Sequence, residues 1–506
     1  MAESEKEKIG VVGSGVMGRG IVQLFATAGH EVWLHDSREG AIEEALDFIA
    51  GLLDRSVDKG RLSEAERGAI LARIHTSEAL TGLAECDLVI EAIVENLDAK
   101  QALFCQLEEV VSREAILASN TSSLSVTRIA SACRHPERVA GFHFFNPVPL
   151  MKIAEVVRGE LTRPTVIERL ARLTREAGHF PALTPDTPGF LVNHAGRAYA
   201  PEALRLVDEG IASPEQIDRI LCLTLGFRMG PFELLDLIGL DVTHAVMESV
   251  YRQFYEDPLY TPSWQVPRRI AAGLLGRKSG QGFYRYEDGK RIEPEVAPPP
   301  AVPVTRPVWI DRQDGEWRER VAALVEAAGS RLEEGVSPSP EAVCLVTPIG
   351  EAVSDCIAER GLPPERTLAL ETLAGFDACR VLMRHPAIDG DVLAQATRAL
   401  GVDGVPVEVI NDSPGFVAQR ILAFMVNIGS EIVRRGISEP ETLDVAIKLA
   451  LGYPEGPLAF GDRYGRETFA RVLGCLHDHY GESRYRVSPW LKQRIALGLP
   501  LRESPF

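Results

Sequence analysis

Between Lys8 and about Gly159, short apolar runs alternate with stretches of helical period. Ile9–Val12 precedes a helix closed by Gly29, and Glu31–His35 precedes a long helix from Arg38. Ser63-Glu64-Ala65-Glu66 has the order of a capping box, a hydroxyl at the helix start with a carboxylate three residues on. Further apolar runs follow at Asp87–Val94, Ala115–Ser119, Val139–Phe145 and Lys152–Val157. Strands alternating with helices predict an α/β, Rossmann-like domain with a parallel sheet covered on both faces. From Thr162 the period becomes helical, over Thr165–Ala177, Val192–Glu209, Glu215–Leu225 and Phe232–Tyr255, which predicts an all-α domain ending near Tyr286.

The Pro-rich stretch 294–307 has almost no helical period and reads as a stiff linker. Beyond it, Val308–Ile310, Ala342–Val346 and Arg366–Leu370 read as short strands, and from Ser413 the pattern is helical again. That last region repeats an earlier one. At a constant offset of 226, residues 186–239 and 412–465 share 17 identities without a gap, Asp186/Asp412, Gly189/Gly415, Phe190/Phe416, Gly230/Gly456 and Asp236/Asp462 among them. The expected organisation is a dinucleotide domain over 1–186, a helical domain over 187–290, a linker over 291–307, a reduced α/β segment over 308–410 and a duplicated helical domain over 411–506.

Composition narrows the function classes. With 54 basic against 72 acidic residues the formal charge is -18, which disfavours nucleic acid and anionic membrane as partners. The eight cysteines are never closer than twelve residues, so no Cys-x-x-Cys pair is present and no metal site is expected. The charged start Met1–Lys8 and the lack of an apolar run of membrane-spanning length predict a cytoplasmic protein.

Candidate chemistry begins at Gly13-Ser14-Gly15-Val16-Met17-Gly18, directly after the first strand and opening a helix. Its glycines permit a tight turn and close approach of backbone N–H groups to a pyrophosphate. Asp36 ends the next strand eighteen residues after Gly18, where a carboxylate accepts bonds from ribose hydroxyls and selects NAD over NADP. Ser119-Asn120-Thr121-Ser122-Ser123 follows a strand at its carboxyl end, either as a helix cap or as part of a site. His143 and Glu155 are lone polar residues on apolar runs. Burying both is costly unless they pair, and a paired carboxylate would make the imidazole a general base.

The segments GVVGSGVMGRGI, EAIVEN, SNTSSL, GFHFFNPVPLMKIAEVV, DTPGFLVN, MGPFELLDLIGLD and KSGQGFY together resemble the NAD-dependent L-3-hydroxyacyl-CoA dehydrogenases over about residues 8–286. The resemblance implies NAD as cofactor and an acyl-CoA thioester as substrate. It further implies that His143 takes the proton of the 3-hydroxyl, that Glu155 orients its ring, and that Ser122 and Asn193 position the reacting oxygen. Glu95, Lys100 and Asn146 match cofactor-contacting positions beside the glycine loop.

The second copy departs from this pattern. The position of Asn193 is taken by Gln419, and the segment before it has neither glycine loop nor His–Glu pair, so 308–410 reads as a non-binding remnant. Shorter members of the family pair their helical domains across a dimer, which leaves a homodimer or a pairing within one chain. One complete unit, a linker and a reduced unit resemble the long bacterial form tied to phenylacetate catabolism, which oxidises 3-hydroxyadipyl-CoA. A dicarboxylic substrate needs a distal cation, for which Arg197 and Arg205 are the candidates. The alternatives are 3-hydroxybutyryl-CoA as substrate, a non-thioester hydroxy-acid dehydrogenase of the gulonate or crystallin-like branch, and a non-catalytic NAD-binding protein.

Overall fold

A computed structural model describes residues 6–293, 300–311 and 316–504; much of the expected linker, residues 294–299, lies outside the described residues. Two compact units account for the contacts. The first comprises residues 1–194 with 436–451, and the second 195–435 with 452–506. These limits follow packing rather than chain order, because a helix from the repeated half belongs to the first unit.

The first unit is built on eight strands: β1 (Lys8–Val12), β2 (Glu31–His35), β3 (Ile74–Ser77), β4 (Leu88–Glu91), β5 (Ile116–Ser119), β6 (Val139–Phe144), β7 (Ile153–Arg158) and β8 (Phe180–Pro185). Their order in the sheet is β3-β2-β1-β4-β5-β6-β7-β8. Successive side chains of a strand point to opposite faces, and the core divides accordingly. Val11, Leu88, Ile90, Phe142, Phe144 and Val156 join one apolar layer, whereas Val12, Val89, Leu117, Val139 and Val157 join the other. Covered on both faces, the strands read as unbroken apolar runs.

All neighbours are parallel except β6 and β7, which run antiparallel. This departs from the all-parallel sheet expected. Only eight residues join the two strands, too few for a crossover helix, so the chain must turn back on itself. The capping box forms at Ser63 and Glu66. The helix Pro440–Leu451 packs along β7 and β8.

The second unit holds helices from both copies around a smaller sheet. The predicted helix 232–255 divides into Pro231–Ile238 and Leu240–Gln253 at Gly239, whose φ of 101° no helix accommodates. The predicted 192–209 segment breaks around Gly196 and Pro201 into Val192–Ala195, a 3-10 turn and Ala200–Asp208. Its counterpart carries Leu422 and Asn427 at the equivalent positions and runs unbroken as Ala418–Arg434, almost wholly buried.

A hairpin of β9 (Tyr286–Glu287) and β10 (Lys290–Arg291) closes the first helical region. Five further strands follow: β11 (Val308–Ile310), β12 (Val343–Val346), β13 (Thr367–Leu370), β14 (Arg380–Arg384) and β15 (Val407–Asn411). They lie in that order, parallel except for the antiparallel pair β13–β14. The same sequence of directions runs through β4 to β8. Among the described residues nothing in this sheet corresponds to β1, β2 or β3, the strands beside the glycine loop. All eight cysteines are free, and among the described residues no helix is long and apolar enough to cross a membrane.

Candidate active site

The register of the antiparallel pair brings the two lone polar residues together: His143 on β6 stands directly opposite Glu155 on β7. His143 Nδ1 lies 2.6 Å from Glu155 Oε2. The other carboxylate oxygen accepts the backbone N–H groups of Leu191 (2.9 Å) and Val192 (2.8 Å). Glu155 is fully buried and His143 is 6% exposed. The carboxylate is thus fixed by three donors, and the ring it holds is packed against Phe145, with centroids 4.5 Å apart, and Phe190. Phe190 has a φ of 50°, and this left-handed turn after Gly189 aims the Leu191 and Val192 amides at Glu155. With Nδ1 committed, Nε2 is the nitrogen left for substrate.

Ser122 and Asn193 also meet, Asn193 Nδ2 donating to the Ser122 carbonyl at 3.1 Å. The loop bearing Ser122 is braced by Glu95. Its Oε1 accepts Thr121 Oγ1 (2.6 Å) and the backbone N–H groups of Ser122 (2.9 Å) and Ser123 (3.1 Å). Burial alone would raise the Glu95 pKa, but Lys100 and these donors outweigh it and hold the carboxyl below its ordinary value. Asn146 is exposed on the turn after β6.

Lys100 is placed differently from its expected role at the cofactor surface. It is 1% exposed and ion-paired to the fully buried Glu91 at 2.6 Å, with Glu95 Oε2 at 3.3 Å. Ser119 Oγ donates to the other oxygen of Glu91 at 2.6 Å. An ammonium so enclosed is screened from solvent by its two carboxylate partners. Glu91 is a buried residue beside the candidate site that sequence reasoning did not single out, whereas Asn120 belongs to the Ser119–Ser123 segment that it did. Asn120 Oδ1 accepts the N–H of Phe144 at 2.9 Å and so ties the Ser122 loop to the strand of His143. Glu91 sits inside the motif EAIVEN, and its position at a strand end was the available signal.

At the carboxyl end of β1, Gly13 has a φ of 103°, and its N–H donates to the His35 carbonyl at 2.8 Å. A Cβ on Gly13 would strike the Ala92 carbonyl, and one on Gly18 would overlap the Gly13 carbonyl oxygen. The helix Val16–Thr27 starts at Gly15 with no side-chain cap, and the space over Gly15 is open. Its first amides are therefore free to face an anion. Val16 is exposed there and Met17 packs partly into the core. Asp36 accepts Ser14 N (2.7 Å), Ser14 Oγ (2.8 Å) and Arg38 N (2.9 Å). Burial opposes its ionisation, yet these bonds keep its pKa below the usual value. A charged carboxylate, an uncapped helix start and a cradle that any side chain would fill fit a dinucleotide carrying a free ribose hydroxyl pair.

Of the two candidate distal cations, Arg205 is excluded by its contacts. It is ion-paired to Glu209 and Glu482 and lies over the rings of Tyr480 and Tyr485. Two carboxylates already balance the charge of this guanidinium, which leaves it poorly matched to a third carboxylate on a substrate. Arg197 is buried, and burial lowers its pKa to about 10. Among the described residues no group of three or more His, Cys, Asp or Glu side chains could hold a metal ion.

Comparison with known proteins identifies the family. Residues 8–187 match the 3-hydroxyacyl-CoA dehydrogenase NAD binding domain, and residues 189–286 and 415–505 each match the C-terminal domain of the same family. The chain is 36% identical over 499 residues to a 3-hydroxyadipyl-CoA dehydrogenase of Escherichia coli K12, covering 97% of this chain and 98% of that one. It is 43% identical to a probable 3-hydroxybutyryl-CoA dehydrogenase of Deinococcus radiodurans, which it covers completely with 55% of its own length. Among solved structures, an Escherichia coli K12 3-hydroxybutyryl-CoA dehydrogenase superposes with a TM-score of 0.85 at 34% identity, over 97% of this chain and 99% of that one. By the match of both its domain types and by full-length similarity, the chain belongs to the 3-hydroxyacyl-CoA dehydrogenase family.

Proposed function

We propose that this protein oxidises the 3-hydroxyl of an L-3-hydroxyacyl-CoA to the 3-oxo thioester, with 3-hydroxyadipyl-CoA or 3-hydroxybutyryl-CoA as substrate. The buried His143–Glu155 pair carries the reading. His143 Nε2 removes the hydroxyl proton, and Glu155, fixed by two backbone amides, holds the proton on Nδ1 and faces the imidazolium that forms. Ser122 and Asn193 orient the reacting oxygen, supported by the bond between them. NAD, when bound, supplies the acceptor for the hydride leaving C3. The backbone of Gly13–Gly18 would hold its pyrophosphate and Asp36 its ribose, with Glu95 and Asn146 nearer the reacting end. Lys100 contributes by fixing Glu95.

The eight free cysteines suit a reducing, cytoplasmic setting. The duplicated half acts as the pairing partner within one chain. This rests on the buried network in the second unit, where Glu202 of the first copy accepts Arg420 Nε at 2.6 Å and Arg484 Nη2 at 2.7 Å from the second. Sedimentation should then give a monomer of 55.3 kDa, and a stable dimer of the full chain would contradict the pairing. The reaction itself is tested with His143→Ala. NAD affinity should stay within about twofold while turnover falls by about 10²–10⁴. Loss of NAD binding with the activity would make His143 architectural.

A further inference from the structure

The retained strands of the second sheet are a selected set. Read from β11 to β15 they reproduce the directions of β4 to β8, and among the described residues β1 to β3, the half that carries the glycine loop, have no counterpart. The chemical positions are altered as well. Pro364-Glu365-Arg366 and Pro136-Glu137-Arg138 lead into equivalent strands, and at that spacing Glu371 takes the place of His143. Its N–H bonds the carbonyl of Val381, an apolar residue where the first sheet has Glu155. Glu371 is 1% exposed and bonded through Oε1 to Gln419 Nε2 at 3.0 Å and to Leu373 N at 2.7 Å. Gln419, at the position of Asn193, fills the remaining space by accepting Gly350 N at 2.9 Å and donating to the Pro348 carbonyl at 3.2 Å. This site is closed by its own side chains.

The last strand, by contrast, is fully engaged. In the second unit, β15 is bonded to the helix Pro214–Leu225 of the first copy and to the turn before it. Glu408, 7% exposed, forms an ion pair with Arg219 and accepts Gln216 Nε2 at 3.2 Å. Gln216 Nε2 also reaches the Val409 carbonyl at 3.0 Å. Asn411 donates its N–H to the Ile211 carbonyl at 2.9 Å and its Nδ2 to the Gly210 carbonyl at 2.8 Å. At the far end of the helix, Gly375, with a φ of 117°, lies against the Thr224 carbonyl, where a Cβ would stand 3.3 Å from the oxygen. In the first unit the relation is reversed: Pro440–Leu451, from the second copy, packs along β7 and β8. Each sheet therefore has its final strand next to a helix of the other copy.

We propose that residues 308–410 are a docking platform for the helix Pro214–Leu225, held through the Arg219–Glu408–Gln216 latch on β15, and that the chain carries a single nucleotide site. The strands kept are those that present β15 in register, and those without a counterpart include the strands that flank the glycine loop. The test uses full-length Arg219→Glu, Glu408→Arg and the double exchange. Each single reversal places like charges together on a nearly buried carboxylate or its partner and should lower the thermal midpoint by about 3 °C. The double exchange should recover at least half of that loss. Singles indistinguishable from the parent, or a double no better than the worse single, would overturn the latch. If a reversal prevents folding, Arg219→Gln, Glu408→Gln and their combination read the same coupling, the double being expected to fall short of the summed losses. Calorimetric titration should give one NAD per chain, and two would overturn the platform.

Discussion

Replacing Glu155 with glutamine separates the chemical role of this residue from its structural one. Both backbone donors, Leu191 N and Val192 N, go to the same oxygen, Oε1, whereas His143 Nδ1 faces Oε2. A glutamine with its carbonyl at the Oε1 position keeps both backbone bonds and has nearly the same volume, so Glu155→Gln should change stability by no more than about 1 kcal/mol. Its NH2 group then points at Nδ1, which must accept instead of donate. The ring is forced into the tautomer with its hydrogen on Nε2, and a nitrogen already carrying hydrogen cannot take the substrate's proton. The expected loss in kcat is about 10²–10⁴, or about 3–5 kcal/mol of barrier, at unchanged NAD affinity. NADH formation under saturating substrate measures the loss in kcat, a fluorescence titration measures NAD affinity, and thermal unfolding reads the stability. A variant within threefold of the parent in kcat would refute the assignment of His143 and Glu155 as base and orienting acid. Glu155→Ala offers a contrast, because it strands two buried amides and should cost a further ~2–4 kcal/mol of stability.

Other consequences are open to equally direct checks. Gly18→Ala puts a methyl against the Gly13 carbonyl oxygen and should weaken NAD binding at least about tenfold by fluorescence titration; unchanged affinity would remove the glycine turn from the cofactor site. Glu202 is fully buried, and although burial opposes its charge, Arg484 and Arg420 hold its pKa at about 2, against 4.5 for a free glutamate. A depressed carboxylate stabilises the fold above its unfolded pKa and loses that contribution as pH falls toward the folded one, so about 2 kcal/mol should disappear between pH 5 and pH 3. Urea unfolding should show this loss in the parent and a flatter acid limb in Glu202→Gln; equal slopes would mean the network does not govern acid stability.

Of the eight strands of the first sheet, β3 and β8, at the sheet edges and only partly buried, were not read; the other six were legible because a doubly covered sheet writes its strands as apolar runs separated by helical period. Its one antiparallel pair was not, since Val139–Phe145 and Lys152–Val157 look alike in either direction and only the connection of eight residues distinguishes them. His143 and Glu155 stood out as polar residues on buried strands, where isolation is costly. Lys100 was harder: a helical lysine reads as a solvated side chain, and its burial depends on Glu91 nine residues earlier on another element. Arg205 misled for the same reason, because one of its partners, Glu482, lies 277 residues away. Strand β14 escaped notice between flanking arginines, and β15 because its alternating Val-Glu-Val-Ile-Asn is short and half polar. Helix breaks at Gly196 and Gly239 were written in the sequence as glycines, yet periodicity across them hid the interruption.

The measurement closest to the central claim is NAD reduction by the purified protein with 3-hydroxybutyryl-CoA, a long-chain 3-hydroxyacyl-CoA and 3-hydroxyadipyl-CoA in parallel, compared by kcat/KM. Turnover of the butyryl or adipyl thioester, abolished by His143→Ala, is the predicted result. Silence with all three, in a protein that still binds NAD, would contradict it.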